Sequence, residues 1–137
     1  MVLAEVWYEL FAWEAEWLDS HPDHEAAQLG RQLRLDMADG SSVFVAWTWG
    51  QAGNDFRVGF ATYSFCTGPL EEVRNVSAGA LWAPLVGQPI ELIYRGEGKQ
   101  VLEVRAGAAI VYCCSFGRGI WGMDELRVGG QLPKQSP

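Results

Sequence analysis

The chain has 137 residues, which suits a single domain with a real hydrophobic core rather than a multidomain enzyme or a disulfide-stapled miniprotein. With 49% hydrophobic and 20% charged residues its composition is globular, not disordered. Ten Lys and Arg stand against 17 Asp and Glu, and the net charge of −7 argues against nucleic acid or an anionic membrane surface as a direct ligand while leaving a basic partner open.

The N-terminal third carries that charge. Residues 1–39 hold Glu5, Glu9, Glu14, Glu16, Asp19, Asp23, Glu25, Asp36 and Asp39 against Arg31 and Arg34, and beyond residue 39 acids and bases balance. No Lys or Arg precedes residue 31, so the opening stretch lacks the basic region of a secretory signal. Residues 3–18 read as an amphipathic helix. At about 100° per residue, Leu3, Val6, Trp7, Leu10, Phe11, Trp13, Trp17 and Leu18 share one side, and Glu5, Glu9, Glu16 and Asp19 gather on the other. Two features strain that reading: Trp, Val and Phe are mediocre helix formers, and Glu14 projects into the apolar side. Pro22, the acids Asp23 and Glu25, and Gly30 predict a second short helix from Pro22 to Leu29.

Strand texture follows. Gln32 to Met37 and Val43 to Trp49 flank Asp39-Gly40, a hairpin signal, and Phe56 to Phe65 is β-rich after a turn at 50–54. Residues 68–87, broken by Pro69, Gly79, Pro84 and Gly87, read as a long connection with at most a helical turn near Leu81 to Val86. Strands are expected at Ile90 to Tyr94, Val101 to Arg105 and Ala109 to Phe116, with a short last one at Leu126 to Val128 and a flexible tail over 129–137. No apolar run reaches the length of about 18 residues that a membrane span needs. Leu35 to Val45 aligns without a gap on Leu102 to Tyr112, and both copies run on into an Asp followed by Arg-Val-Gly, at Asp55 with Arg57-Val58-Gly59 and at Asp124 with Arg127-Val128-Gly129. The expected fold is therefore α+β. One domain over 1–128 has helices in 1–30 packed on a mostly antiparallel sheet, or a half-barrel, built from two similar hairpin repeats in 31–65 and 88–128.

Candidate chemistry is sparse. Gly117-Arg118-Gly119-Ile120-Trp121-Gly122 has the dinucleotide-loop spacing, but too little chain follows for a βαβ unit, so no nucleotide cofactor is expected. His21 and His24 lack the companion ligands zinc requires and read as loop and cap residues. Cys66, Cys113 and Cys114 are odd in number. The adjacent pair sits on an apolar strand and reads as small hydrophobes in a reducing cytoplasm. Asp55 and Asp124, at matching places in the two copies, are the only candidate pair for acid–base work, and aspartates at turn ends more often hold backbone amides. Among seven tryptophans, Trp47, Trp49 and Trp121 lie at the repeat ends, where they can anchor a partner.

The stretch Leu85-Val86-Gly87-Gln88-Pro89-Ile90-Glu91-Leu92-Ile93-Tyr94, with Gly122-Met123-Asp124-Glu125-Leu126-Arg127-Val128 after the hairpin, resembles the small cytoplasmic immunity proteins of bacterial polymorphic-toxin and contact-dependent systems. The resemblance covers roughly Leu81 to Val128. It implies a non-enzymatic protein, with no cofactor or metal, that binds a cognate toxin domain and blocks it. Such families share no catalytic residues to carry over. A basic toxin fits the acidic first third, with Glu5, Glu9, Glu16, Asp19, Asp23 and Glu25 steering association and Trp47, Trp49 and Trp121 as anchors. The alternative expectation is a small-ligand module, a partial barrel with Trp47, Trp49 and Tyr112 at its mouth.

Overall fold

The computed structural model describes residues 1–21, 26–49, 56–115 and 126–132. Along these residues run β1 (Leu3–Leu10), α1 (Ala12–Ser20), β2 (Ala26–Leu29), β3 (Gln32–Met37), β4 (Ser42–Trp49), β5 (Phe56–Ala61), β6 (Glu72–Asn75), β7 (Glu91–Tyr94), β8 (Val101–Ala106), β9 (Ala109–Cys114) and β10 (Leu126–Gly129). They form two antiparallel five-stranded sheets, ordered β5-β4-β3-β1-β6 and β2-β10-β9-β8-β7. One hydrophobic core is shared: Val6, Leu33, Leu35 and Val45 from the first sheet meet Leu102, Val104, Val111 and Val128 from the second, with Trp82 and Leu85 from the intervening turns. The antiparallel β part of the expected α+β class holds, though as two sheets rather than one, and among the described residues the helical part shrinks to α1.

The predicted N-terminal helix over 3–18 is corrected in its first half, which is strand. In β1, Val6, Tyr8 and Leu10 face the core while Glu5, Trp7 and Glu9 point to the opposite face, the period-2 pattern of a strand. A shift of register between Leu3 and Glu5 brings Leu3 onto the core side out of phase, so the alternation is broken in the sequence. Trp7 on the outer face completes the disguise. β1 also pairs on both sides, with β3 and β6, and those ladders outweigh any local helical preference. Helix α1 begins only at Ala12, where the Phe11 carbonyl accepts from the Glu14 and Ala15 amides.

The second predicted helix is likewise overturned where it is described. Ala26–Leu29 is an edge strand paired with Leu126–Gly129, and residues 22–25 lie outside the described residues. Gly129, expected in a flexible tail, closes β10 opposite Ala26. The connection over 68–87 hides β6. Its predicted helical turn is present as consecutive turns in which Ala83 N donates to Gly79 O and Val86 N to Trp82 O.

Both echoed segments are hairpins, each inside its own sheet, yet their registers differ. Leu35 faces Val43, whereas the aligned Leu102 faces Cys113 rather than Ile110. The first hairpin turns through Ala38-Asp39-Gly40, with Gly40 at φ +90°, the second through Gly107-Ala108, with Gly107 at φ +60°. Loop length fixes which face a returning strand presents. Val43 and Val45 are accordingly buried while the aligned Ile110 and Tyr112 are half-exposed, and Val111 is buried where Phe44 is not. The likeness reaches the outgoing strand and fails on the returning one.

One flank of the two sheets is stitched through β5, where Val58 N donates to Lys99 O at 2.8 Å and the Tyr94 hydroxyl donates to Val58 O at 2.7 Å. At the other flank α1 packs against β1, β2 and β6. The start of β1 is anchored to the chain before β7 by Leu3 N donating to Gln88 O and Gly87 N to Leu3 O.

Candidate functional site

The residues expected on one acidic helix face are dispersed by the strand–helix arrangement. Glu5 is exposed on the outer face of the first sheet, opposite Asp36 on β3. Glu16 and Asp19 are exposed on α1, and Asp19 pairs with Arg74 at 2.9 Å. Glu9 is corrected: it is 3% exposed and accepts at 2.7 Å from the Gln32 amide, so it cannot steer a partner from the surface. Asp23, Glu25, Trp121, the 117–122 glycine loop, His24, Asp55, Asp124 and the side chain of Trp49 lie outside the described residues. Trp47 is half-buried on the core-facing side of β4, and its indole N–H donates to Gly30 O at 3.1 Å.

Burial of Glu9 belongs to a polar layer on the outer face of the first sheet. Gln32, fully buried, donates to Glu9 and to the Ser64 hydroxyl, and its carbonyl oxygen accepts from Phe65 N at 2.9 Å. One amide thus pins the chain after β5 across the sheet. Gly59 permits the approach, because a Cβ there would meet Thr48 Cγ2 at 2.8 Å and the Phe65 ring at 3.3 Å.

Alongside lies a second buried group. Glu14, 2% exposed, accepts from Phe11 N and from Gly30 N, so both its oxygens cap backbone donors. Burial pushes its carboxyl above the usual range, against the opposing pull of those amides and of Arg31. Arg31 is itself buried, with its guanidinium over the Phe11 ring at 5.4 Å and 3.8 Å from Glu71. A carboxylate committed to two amides and a guanidinium held over a ring make a structural lock rather than an acid–base pair. The sequence flagged Glu14 as out of place on an apolar side. Nothing local foretold its second partner, Gly30, 16 residues away.

No group of three or more His, Cys, Asp or Glu suited to a metal occurs among the described residues. His21 is the C-cap of α1, its ring stacked on Trp17 at 4.1 Å and its Nδ1 2.8 Å from the Trp17 carbonyl. Cys113 and Cys114 are buried, and burial pushes both thiols up, Cys114 to about 11, far from a thiolate nucleophile at neutral pH. Among the described residues no helix is long and apolar enough to cross a membrane.

A cleft of ≈ 610 Å³ opens between the end of α1, the start of β2, the end of β10 and the turns at 79–82. Its apolar walls include Leu18, Val76 and Leu81, and its polar groups include His21, Arg127 and Gln131. At its floor the Trp82 indole N–H donates to the Tyr8 hydroxyl at 2.9 Å, both residues being buried. Trp47 and Tyr112, expected around a ligand-binding mouth, do not line it. Its composition was not legible in the sequence, since its walls come from five separate stretches of chain. Compared with family models, curated proteins and solved structures, the chain has no match.

Proposed function

We propose that this chain is a non-enzymatic protein-binding module of the immunity-protein kind, which binds and neutralises a basic toxin domain. The observation that carries the reading is the charge: the net −7 resides in residues 1–39. Within that third, Glu16 and Asp19 stand exposed on α1 beside Trp13, which is 37% exposed and stacked on Phe11 at 6.2 Å. An aromatic anchor flanked by acids suits a basic surface, with the acids raising the rate of encounter and the ring supplying buried area. Glu5 adds to the field from the first sheet. Asp19 contributes less than its charge because Arg74 neutralises part of it.

The test is co-purification from the native cells at low and moderate salt, comparing the wild-type chain with a Glu5→Lys, Glu16→Lys double variant. The expected result is one stoichiometric basic protein, released as salt rises, missing from the variant and inactivated by adding the wild-type chain. Recovery of the chain alone, or of the same protein by both forms, would overturn the reading. A second reading, small-ligand binding, draws on the ≈ 610 Å³ cleft.

A further inference from the structure

The outermost strands of the two sheets are β5, β6, β2 and β7, and they differ in what their backbone still offers. On β5 the Val58 N–H and C=O already meet Lys99 and Tyr94. On β6 the Val73 carbonyl accepts from the Arg74 guanidinium at 3.1 Å, and α1 packs against both β6 and β2. The edge of β7 is open. Arg95 N donates to Val101 O at 2.9 Å, and inward bonds recur at every second residue of an antiparallel ladder, so Glu91 and Ile93 also turn their N–H and C=O groups toward β8. Leu92 and Tyr94 therefore turn theirs outward, as does Ile90, whose N–H is met by Met1 O at 2.7 Å. Beyond Ile90, nothing among the described residues is hydrogen-bonded to that edge. Unpaired strand groups of this kind are a template for another strand. The side chains beside them are not the repelling kind: Glu91, Ile93 and Arg95 alternate along the outer face, acid, apolar, base, and Ile93 is 37% exposed.

We infer that β7 docks a second copy of this chain, the two β7 strands pairing antiparallel about a two-fold axis with Ile93 opposite Ile93. Leu92 then faces Tyr94 of the second copy, and each such pair exchanges both of its N–H···O bonds. Glu91 faces Arg95 of the second copy, and symmetry repeats the pair. Charge and backbone select this register. A slip of two residues one way sets Glu91 against Glu97, and a slip the other way requires the Ile90 N–H that Met1 already holds. In the chosen register the charges also alternate across the face, with Arg105 opposite Glu91 on β8 and Arg95 of the second copy on its other side. The ladder ends where Gly96, at φ +89°, turns the chain. The inference is independent of the toxin-binding reading, since Glu5, Glu16 and Trp13 lie on β1 and α1.

The experiment is sedimentation velocity on the full chain, from micromolar to about 1 mM because so short a ladder makes a weak dimer. Salt is held at about 0.15 M to screen the repulsion between two chains of net charge −7. A concentration-dependent shift from monomer to dimer is expected. Ile93→Lys sets like charges opposite each other across the axis and is expected to raise the dimer dissociation constant by at least about tenfold. A second measurement reads the register and does not depend on that variant folding. In a Cys66→Ser background, Ile93→Cys is expected to form a disulfide between copies on mild oxidation, since facing residues of a non-hydrogen-bonded pair lie within bridging distance. Glu91→Cys, which faces position 95 rather than itself, is expected to stay reduced. A monomer throughout the concentration range, a dimer indifferent to Ile93→Lys, or equal cross-linking through positions 91 and 93 would each overturn the inference.

Discussion

Two carboxylates, Glu14 at the start of α1 and Glu103 in the middle of β8, are each 2% exposed, and their acidities move in opposite directions. Burial pushes both up. At Glu103 the push is overcome by Arg105, 2.6 Å away, and by Arg95 at 3.4 Å, which hold the carboxyl below its usual range. Glu14 has backbone amides for partners and Arg31 only nearby, so burial prevails and its carboxyl is raised. The lesson is that burial alone does not set the cost of a charge. A full countercharge at hydrogen-bond distance repays desolvation, and dipoles repay part of it.

The strongest way to break this comparison is to remove each acid. Glu14→Ala leaves the Phe11 and Gly30 amides without their acceptor and is expected to cost about 2–4 kcal/mol in urea unfolding. A loss near zero would mean that water replaces the carboxylate. Gly30→Ala probes the same lock from the other side. Its Cβ would sit 2.9 Å from the Phe11 ring and 3.1 Å from Glu14 Oε2, and an unfolding free energy lower by about 1–3 kcal/mol is expected. Glu103→Gln is milder, about 1 kcal/mol by the same measurement, because Arg95 and Arg105 reach solvent and rehydrate once the carboxylate is gone.

The smallest effect is the most discriminating. Glu14, raised, contributes stability that is fully present below its ordinary value of 4.5 and is lost as pH rises through its folded value. Glu103, lowered, contributes stability present above 4.5 and lost as pH falls through its folded value. Asp36 behaves like Glu103: burial raises it, but hydrogen bonds from Arg34 and Ser42 bring it below its ordinary value. Plotted between pH 3 and 7, the stability of the wild type relative to Glu14→Gln is expected to fall with pH, and relative to Glu103→Gln to rise. Slopes of the same sign would show that the two sites do not differ as described.

The strands β3, β4, β5, β7, β8, β9 and β10 were legible because each carries apolar residues in strand rhythm or is bounded by Gly, Pro or Asp-Gly turns. β1 was not. Its bulge after Leu3 and the outward Trp7 turn a period of two into something close to a helical stripe. β2 and β6, four residues each, have no periodicity to read and exist because neighbouring strands pair with them. The candidate acids were legible as a charge imbalance. Their sorting into exposed Glu5, Glu16 and Asp19 and buried Glu9 and Glu14 was not, because it depends on Gln32 and Gly30 arriving from other strands and turns.

By itself the amino-acid sequence determined the β-rich class of residues 31–128, the hairpin positions, the acidic first third and the misfit of Glu14, since each depends on residues close together in the chain. The tertiary structure decided that the chain begins as a strand, that the two hairpins differ in register, and that Tyr8 meets Trp82 at the floor of a cleft 74 residues away in sequence. The physical reason is that ladder pairing and core burial are earned between distant segments, and their summed free energy exceeds the few tenths of a kcal/mol per residue, roughly, that separate helix from strand locally.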